Sequence, residues 1–108
     1  TGSYWVVPSV TPPPTATLSL PIAPTVKWEF NCDYAAGQMD VSFTWADNAT
    51  NEIGYRLIRN DQVVIELPAD TAAYKDIYAF NAGEKVLYQI EVYNVTGSTR
   101  STVIAVTC

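Results

Sequence analysis

The alternation of apolar and polar residues between Val41 and Arg59 constrains the fold of this chain more than any other feature. Val41, Phe43 and Trp45 alternate with polar neighbours, which is the period-two pattern of a strand with one buried face. Polar residues from 47 to 52 interrupt the pattern, and it resumes in a second segment with apolar residues on one face at Ile53, Tyr55 and Leu57. Two amphipathic strands joined by a polar turn predict the centre of a β-sandwich.

The same alternation recurs along the rest of the chain. In the first segment, one face carries Val26, Trp28, Phe30 and Cys32. The predicted strands cover residues 26–34, 39–46, 53–59, 63–67, 71–78, 86–93 and 98–108, and turn-forming Asn, Asp, Gly and Pro residues separate most of them. Seven short strands with a turn roughly every ten residues, and no helical period, are typical of an all-β fold. We therefore predict a seven-stranded antiparallel β-sandwich.

The first 24 residues differ from the remainder of the chain. They contain six of the seven prolines. Because proline fixes φ and has no N–H donor, this segment is predicted to be an extended arm that cannot join the interior of a sheet. The sequence thus divides into an arm, residues 1–24, and a β domain, residues 25–108.

The arm contains one apolar run, Tyr4, Trp5, Val6 and Val7. One interpretation is that the whole arm is a stiff linker between modules. The other gives this run a docking role, since a short apolar strand on a stiff tether can lie along the sheet edge or in a groove of another subunit. The sequence leaves both interpretations open.

Length, composition and charge limit the function. The chain has 108 residues, 48% of them hydrophobic, which is enough for one domain whose core needs no metal or cofactor. The net charge of −5 argues against nucleic acid and anionic membrane surfaces as partners. No apolar run approaches the ~20 residues of a membrane span, so we expect no membrane insertion.

The two cysteines, Cys32 and Cys108, are not in a CxxC pair, which argues against a zinc site. In a small β-rich chain they are best explained by one disulfide formed in an oxidising compartment, with two unpaired buried thiols as the alternative. A bridge would add roughly 4 kcal/mol to the free energy of unfolding on the loop-entropy model. The cysteines therefore favour a secreted, extracellular or cell-surface location.

The sequence offers little for catalysis. It contains no histidine, the commonest general base and metal ligand. The possible acid pairs are Asp47 with Glu52, Asp61 with Glu66, and Asp70 with Asp76. All are predicted to lie in turns or at outward strand positions, where solvated surface acids are expected. We therefore predict that the chain is not an enzyme.

Three further features have an ordinary structural explanation beside a functional one. Asp47, Asn48, Asn51 and Glu52 offer oxygen ligands for calcium, but they lack EF-hand spacing, and turns are rich in Asn and Asp. The glycosylation patterns at Asn48 and Asn94 also fall in predicted loops. The aromatic residues Tyr78, Phe80 and Tyr93 are able to stack on sugar rings, or to cover the ends of the sandwich. No metal site is predicted.

The stretch FTWADNATNEIGYRLIRN, followed by VVIELPADTAAYKD and VLYQIEVYNVTGSTRS, resembles a fibronectin type III domain of bacterial secreted proteins. The residues that carry the resemblance are Trp45, Gly54-Tyr55-Arg56, Leu67-Pro68, Tyr88, Asn94 and Gly97. It covers about residues 23–108. It implies an immunoglobulin-like sandwich in which strands one, two and five face strands three, four, six and seven. Most members of the family have no disulfide. The fold nevertheless places Cys32 and Cys108 at the same end of the sandwich, where a bridge is possible.

The resemblance implies no activity, because such domains serve as spacers, adhesion modules and scaffolds. We interpret the chain as a non-catalytic structural or protein-interaction module of a larger secreted or surface protein. One alternative is a self-assembling filament or surface-layer subunit whose arm, through Tyr4–Val7, docks on a neighbouring copy. Another is a carbohydrate-binding accessory domain of a secreted hydrolase.

Overall fold

A computed structural model describes residues 19–46, 49 and 51–108 of the chain. The predicted docking run Tyr4–Val7 lies outside the described residues, as do Asp47 and Asn48 of the calcium and glycosylation interpretations. The strands are β1 (Val26–Asp33), β2 (Gln38–Trp45), β3 (Gly54–Arg59), β4 (Gln62–Pro68), β5 (Ala73–Ala79), β6 (Lys85–Tyr93), β7 (Ser98–Arg100) and β8 (Ile104–Thr107). The described residues contain no helix that is long and apolar enough to cross a membrane.

The strands form two antiparallel sheets. One sheet has the order β1-β2-β5, and the other has the order β4-β3-β6, with β7 and β8 both paired to β6. The connection from β2 to β3 therefore crosses from one sheet to the other. This confirms the predicted all-β sandwich and its division of strands between the sheets.

The final predicted strand, residues 98–108, is split in two at Ser101. The Ser101 N–H donates to the Ile90 carbonyl at 2.8 Å, and the Ile90 N–H donates to Ser101 Oγ at 2.9 Å. The pairing shifts by one residue across this point, from Glu91 with Arg100 to Tyr88 with Ile104. The extra residue is a bulge-like interruption, so the sandwich has eight strands instead of the predicted seven.

The core consists of the inward-facing side chains of both sheets. Its fully buried members include Met39, Val41 and Phe43 of β2, Tyr55 and Leu57 of β3, and Val86, Tyr88, Ile90 and Val92 of β6. Aromatic pairs connect the sheets: the ring centres of Phe43 and Tyr88 are 5.0 Å apart, and those of Trp45 and Tyr55 are 5.6 Å apart. The apolar residues whose alternation predicted the strands thus form the contact between the two sheets.

The residues that precede β1 lie against one end of the sandwich. Ser19 O accepts hydrogen bonds from Asn94 Nδ2 at 3.0 Å and from Asn51 Nδ2 at 3.3 Å. Pro21 and Pro24 are buried. The last residues of the predicted arm, 19–24, are therefore in contact with the domain.

Candidate functional site

A disulfide joins Cys32 to Cys108, with the two Cα atoms 5.9 Å apart. It connects the end of β1 in one sheet to the residue that follows β8 in the other. Cys108 also packs against the buried Met39, with 3.7 Å between the two sulfur atoms. The predicted bridge is confirmed, and it closes one end of the sandwich.

The edge strand β1 presents aromatic side chains that the core does not cover. Trp28 pairs with Phe43 and Phe30 pairs with Val41, so both aromatic residues belong to the face that turns toward the interior. They are nevertheless 46% and 47% exposed, because β1 is the outermost strand of its sheet. The sequence predicts which face these residues share, but not that they are left half-exposed.

The backbone of β1 is also available along its outer edge. Ala46 N donates to Thr25 O at 3.4 Å, while Trp45 N donates to Ala72 O on the β5 side at 3.0 Å. Since ladder bonds alternate in an antiparallel pair, the N–H and C=O groups of Val26, Trp28 and Phe30 point away from β2. The pairing from Val26 to Asp33 is regular throughout, so this edge can accept another strand.

A polar cluster lies inside the sandwich at Asp76, which is only 4% exposed. Asp76 Oδ2 accepts hydrogen bonds from Arg59 Nη1 at 2.8 Å and from the Tyr88 hydroxyl at 2.7 Å. The prediction of a solvated surface acid is wrong for this residue. The β5 register places Asp76 opposite Val41 on the core side, and Ile77 instead faces solvent.

The electrostatics of this cluster indicate a structural role. Burial opposes the charge on Arg59, but the hydrogen bond and charge of Asp76 outweigh it and raise the pKa of the guanidinium. Burial, followed by the hydrogen bond to Asp76, raises the pKa of Tyr88 far above its ordinary value. A general acid or base needs a pKa near the working pH. Neither Arg59 nor Tyr88 has one.

A second set of charged side chains lies on the outer face of the sheet that contains β3, β4, β6 and β7. Arg56 bonds to Glu66 and Glu91 at 3.0 Å each, and Arg100 bonds to Glu91 at 2.9 Å and Asp61 at 2.6 Å. Burial opposes the charge on Glu91, yet the hydrogen bonds from Arg100 and Arg56 outweigh it and lower the pKa of Glu91. The hydrogen bonds to their acidic partners raise the pKa values of both arginines. Glu91 is thus held as the charged centre of a network of ion pairs that links four strands.

The three aromatic residues considered for sugar stacking are each only partly exposed and engaged within the molecule. The Arg59 guanidinium lies 4.7 Å from the centre of the Tyr78 ring, and the Arg56 guanidinium lies 3.8 Å from the centre of the Tyr93 ring. Phe80 packs edge-to-face on Tyr34, with 5.7 Å between the ring centres. The Tyr78 hydroxyl also donates to Glu84 at 2.8 Å, a bond that raises the pKa of Tyr78. Their interactions fit the interpretation that they cover the sandwich.

Asn94, the acceptor of the second glycosylation pattern, is buried and holds a turn together. Its Oδ1 accepts hydrogen bonds from the N–H groups of Thr96 at 2.8 Å and Gly97 at 3.2 Å, while Nδ2 donates to Ser19. This is the turn role that the sequence offered as the alternative to modification. Among the described residues, no group of three His, Cys, Asp or Glu side chains is arranged to hold a metal ion.

An open groove of about 630 Å³ lies on the opposite flank from β1, between β4 and β5. Its lining residues are Arg59, Asn60, Gln62, Val63, Val64, Ile77, Tyr78 and Ala79. They include no carboxylate, and Arg59 is already paired with Asp76. The groove therefore lacks the pair of facing acids that hydrolysis of a glycoside requires.

Comparisons with known proteins place the chain by its fold. No protein-family model matches it, and no curated protein does. Among solved structures it is similar to the crystal structure of the spore cortex lytic enzyme SleM of Clostridium perfringens, with a TM-score of 0.61 and 19% sequence identity. The match covers 82% of this chain and 28% of the enzyme. The chain thus has the fold of a part of SleM.

Proposed function

We propose that the chain is a non-catalytic structural or protein-interaction module of a larger extracellular protein, with a fold of the fibronectin type III kind. The observation that carries the proposal is that the buried carboxylate group of Asp76 is engaged in hydrogen bonds within the protein. It is tied to Arg59 and Tyr88 inside a core filled by aromatic and aliphatic side chains. In such a module the buried polar groups hold the two sheets together and do not form a reactive site.

Two further observations support this assignment. The distribution of strands between the sheets, β1-β2-β5 against β4-β3-β6 with β7 and β8, agrees with the arrangement that the sequence resemblance implies. The Cys32–Cys108 disulfide is the kind of bond that persists in oxidising compartments, which supports a secreted or surface location.

An activity assay tests the proposal. The purified chain is incubated with isolated spore cortex, and the release of soluble fragments is measured alongside circular dichroism of the protein. We expect no release above a buffer control. Release that co-purifies with the chain, and that is lost in Glu66→Gln or Asp61→Asn variants that keep the β-sheet spectrum, would contradict it.

The similarity to SleM favours a second candidate, an accessory domain of a hydrolase, because the match spans 28% of that lytic enzyme. A sedimentation assay separates the two functions. An accessory domain that recognises the substrate pellets with isolated spore cortex, whereas a spacer stays in the supernatant. Tyr93→Leu is the matched variant for stacking on sugar, since Tyr93 is one of the aromatic residues considered for that role.

A further inference from the structure

We propose that the outer edge of β1 is an acceptor site for the segment Tyr4–Val7 of a second copy of this chain, which adds to the sheet as an extra strand. The acceptor combines exposed aromatic side chains with unpaired backbone groups. Trp28 and Phe30 are inward-facing aromatic residues that remain 46% and 47% exposed. The backbone groups of the same residues point away from β2, as the alternation of the ladder requires.

The other edges of the sandwich are less suited to accept a strand. β4 has a register shift opposite Leu57 and Ile58 and ends at Pro68, and bulges and prolines are the devices that protect an edge. The edge formed by β7 and β8 is interrupted at Ser101. β5 is regular, but its inward-facing residues Tyr74, Asp76 and Tyr78 are already partly or fully buried. Among the edges of the described strands, only β1 offers half-exposed aromatic side chains of the inner face for a further strand to cover.

The segment Tyr4–Val7 has the composition that this site requires. It consists of four uncharged, β-prone residues followed directly by Pro8, which limits an added strand to this run. Because side chains alternate along a strand, one face carries Tyr4 and Val6 and the other carries Trp5 and Val7. Either face therefore brings one aromatic ring and one valine onto Trp28 and Phe30.

The sequence between the run and the domain favours a second copy as the source of the strand. Residues 8–18 include Pro8 and the consecutive Pro12, Pro13 and Pro14. Eleven residues reach at most about 40 Å when fully extended, which is enough to carry the run to a neighbouring copy. Because proline fixes φ at a value suited to extended chain, this composition favours a run that reaches another copy over one that folds back along its own β1. The donor and the acceptor are different surfaces, so the contact is head-to-tail, and it extends into a chain of copies unless the rotation between copies closes a ring.

A complementation experiment tests the proposal, using the full chain in two variants. In the donor-deficient variant, all four residues of the run are replaced by serine: Tyr4→Ser, Trp5→Ser, Val6→Ser and Val7→Ser. The acceptor-deficient variant carries Trp28→Thr and Phe30→Thr, because threonine is well accepted in strands but removes the aromatic ring at each site. The matched control carries Val63→Thr and Ile77→Thr, two exposed apolar residues of the opposite flank.

Analytical ultracentrifugation over a concentration series gives the readout, with circular dichroism to establish that each variant is folded. We expect the unmodified chain and the control to form a ladder of oligomers, and each deficient variant alone to be a monomer. Mixing the two variants restores one donor and one acceptor, so the mixture forms a 1:1 dimer and nothing larger. In a second mixture, the donor-deficient chain also carries Phe30→Thr, which alters its β1 acceptor. We expect the dissociation constant of the dimer to rise at least tenfold.

An unmodified chain that stays monomeric throughout the series would overturn the proposal, and so would folded variants that do not pair on mixing. If the arm occupied β1 of its own chain, the unmodified protein would be monomeric and the donor-deficient variant would unfold at a lower temperature, independently of concentration. The function proposed above does not depend on this result, because a non-catalytic module need not self-associate.

Discussion

Arg59 and Asp76 form an ion pair that joins the two sheets through the interior, with Arg59 Nη1 2.8 Å from Asp76 Oδ2. Arg59 lies on β3 and Asp76 on β5, so the bond links strands that do not pair through their backbones. The Tyr88 hydroxyl completes the set of donors to the same oxygen. The pair is a connection between the sheets at a position where the core would otherwise be apolar.

Replacing Asp76 with Asn should be costly, because it leaves the Arg59 guanidinium partly buried without its counter-ion. We expect a loss of about 3 kcal/mol in the free energy of unfolding, measured by urea denaturation. Asp40→Asn is the control, since Asp40 pairs with Lys75 at 3.5 Å on the exposed face and should cost about 0.5 kcal/mol or less. Equal costs for the two variants would show that the interior pair is not a stabilising connection.

The disulfide should account for a large part of the stability, because it closes a loop with a sequence separation of 76 residues. On the loop-entropy model, the double variant Cys32→Ser, Cys108→Ser loses about 4 kcal/mol of unfolding free energy. The sheets should still form, since the core lies mainly on β2, β3 and β6. Urea denaturation of the wild type with and without a reducing agent checks the magnitude. A reduced wild type as stable as the oxidised one would contradict the prediction.

Glu91 should make the stability depend on pH in the acidic range. Burial opposes its charge, but the hydrogen bonds from Arg100 and Arg56 outweigh burial and lower its folded-state pKa from 4.5. Its contribution to stability is therefore fully present above the pKa of the unfolded state. That contribution is lost as the pH falls through the folded pKa. At pH 7 we expect wild type to exceed Glu91→Gln by about 1–2 kcal/mol, and the gap to close as the pH is lowered from 5 toward 2.

Chemical denaturation of both proteins at each pH gives the measurement. Glu66→Gln serves as the control, because Glu66 is more exposed than Glu91 and its replacement should change the stability less at pH 7. A gap between wild type and Glu91→Gln that stays constant across this range would mean that the ionised carboxylate does not contribute to stability.

Among the four glycines that the structure describes, Gly54 is expected to be the least able to accept a side chain. A Cβ at this position would lie 2.6 Å from Leu67 O and 2.9 Å from the Tyr93 hydroxyl oxygen, and the first of these atoms belongs to a paired strand. Gly54→Ala should therefore cost about 2 kcal/mol or more through overpacking. Gly83→Ala is the comparison, because it meets no atom within 4 Å and is strained only by its φ of +77°, at about 1 kcal/mol. Thermal unfolding of the two variants ranks the costs, and the reverse order would refute the steric argument.

Asn94→Ala should loosen the contact between the segment that precedes β1 and the sandwich. The change removes the acceptor for Thr96 N and Gly97 N as well as the donor to Ser19 O, at a cost of about 1–2 kcal/mol. Asn51→Ala removes only the 3.3 Å bond to the same carbonyl and should cost less. Hydrogen exchange of the Thr96 and Gly97 amides is expected to accelerate in the first variant and not in the second.

The sequence predicts the architecture well because the apolar alternation is strong in the central strands. Val41, Phe43 and Trp45 on β2, and Tyr88, Ile90 and Val92 on β6, are buried as their period requires. The pairing of the two cysteines is likewise predictable, since only two are present. These features are local in the sequence, and their consequence does not depend on the details of packing.

The features that the sequence does not predict depend on contacts between distant segments. Asp76 is placed in the interior by the register of β5, and its partner Arg59 is 17 residues away, so a rule based on polarity alone assigns it to the surface. The exposure of Trp28 and Phe30 follows from the position of β1 at the edge, which their alternation cannot reveal. The interruption at Ser101 depends on a hydroxyl that replaces a ladder acceptor for Ile90.

The bond between Cys32 and Cys108 also determines the mechanical behaviour of the domain. A tension applied between Ser19 and Cys108 passes along β1 to Cys32 and then directly through the sulfur–sulfur bond. Residues 33–107 lie inside the covalent loop, so this force cannot pull them out into an extended chain. Under load the oxidised domain can lengthen only by straightening residues 19–32, whereas the reduced domain can unravel along its whole length. The redox state of one bond thus decides how far the module can be extended by force.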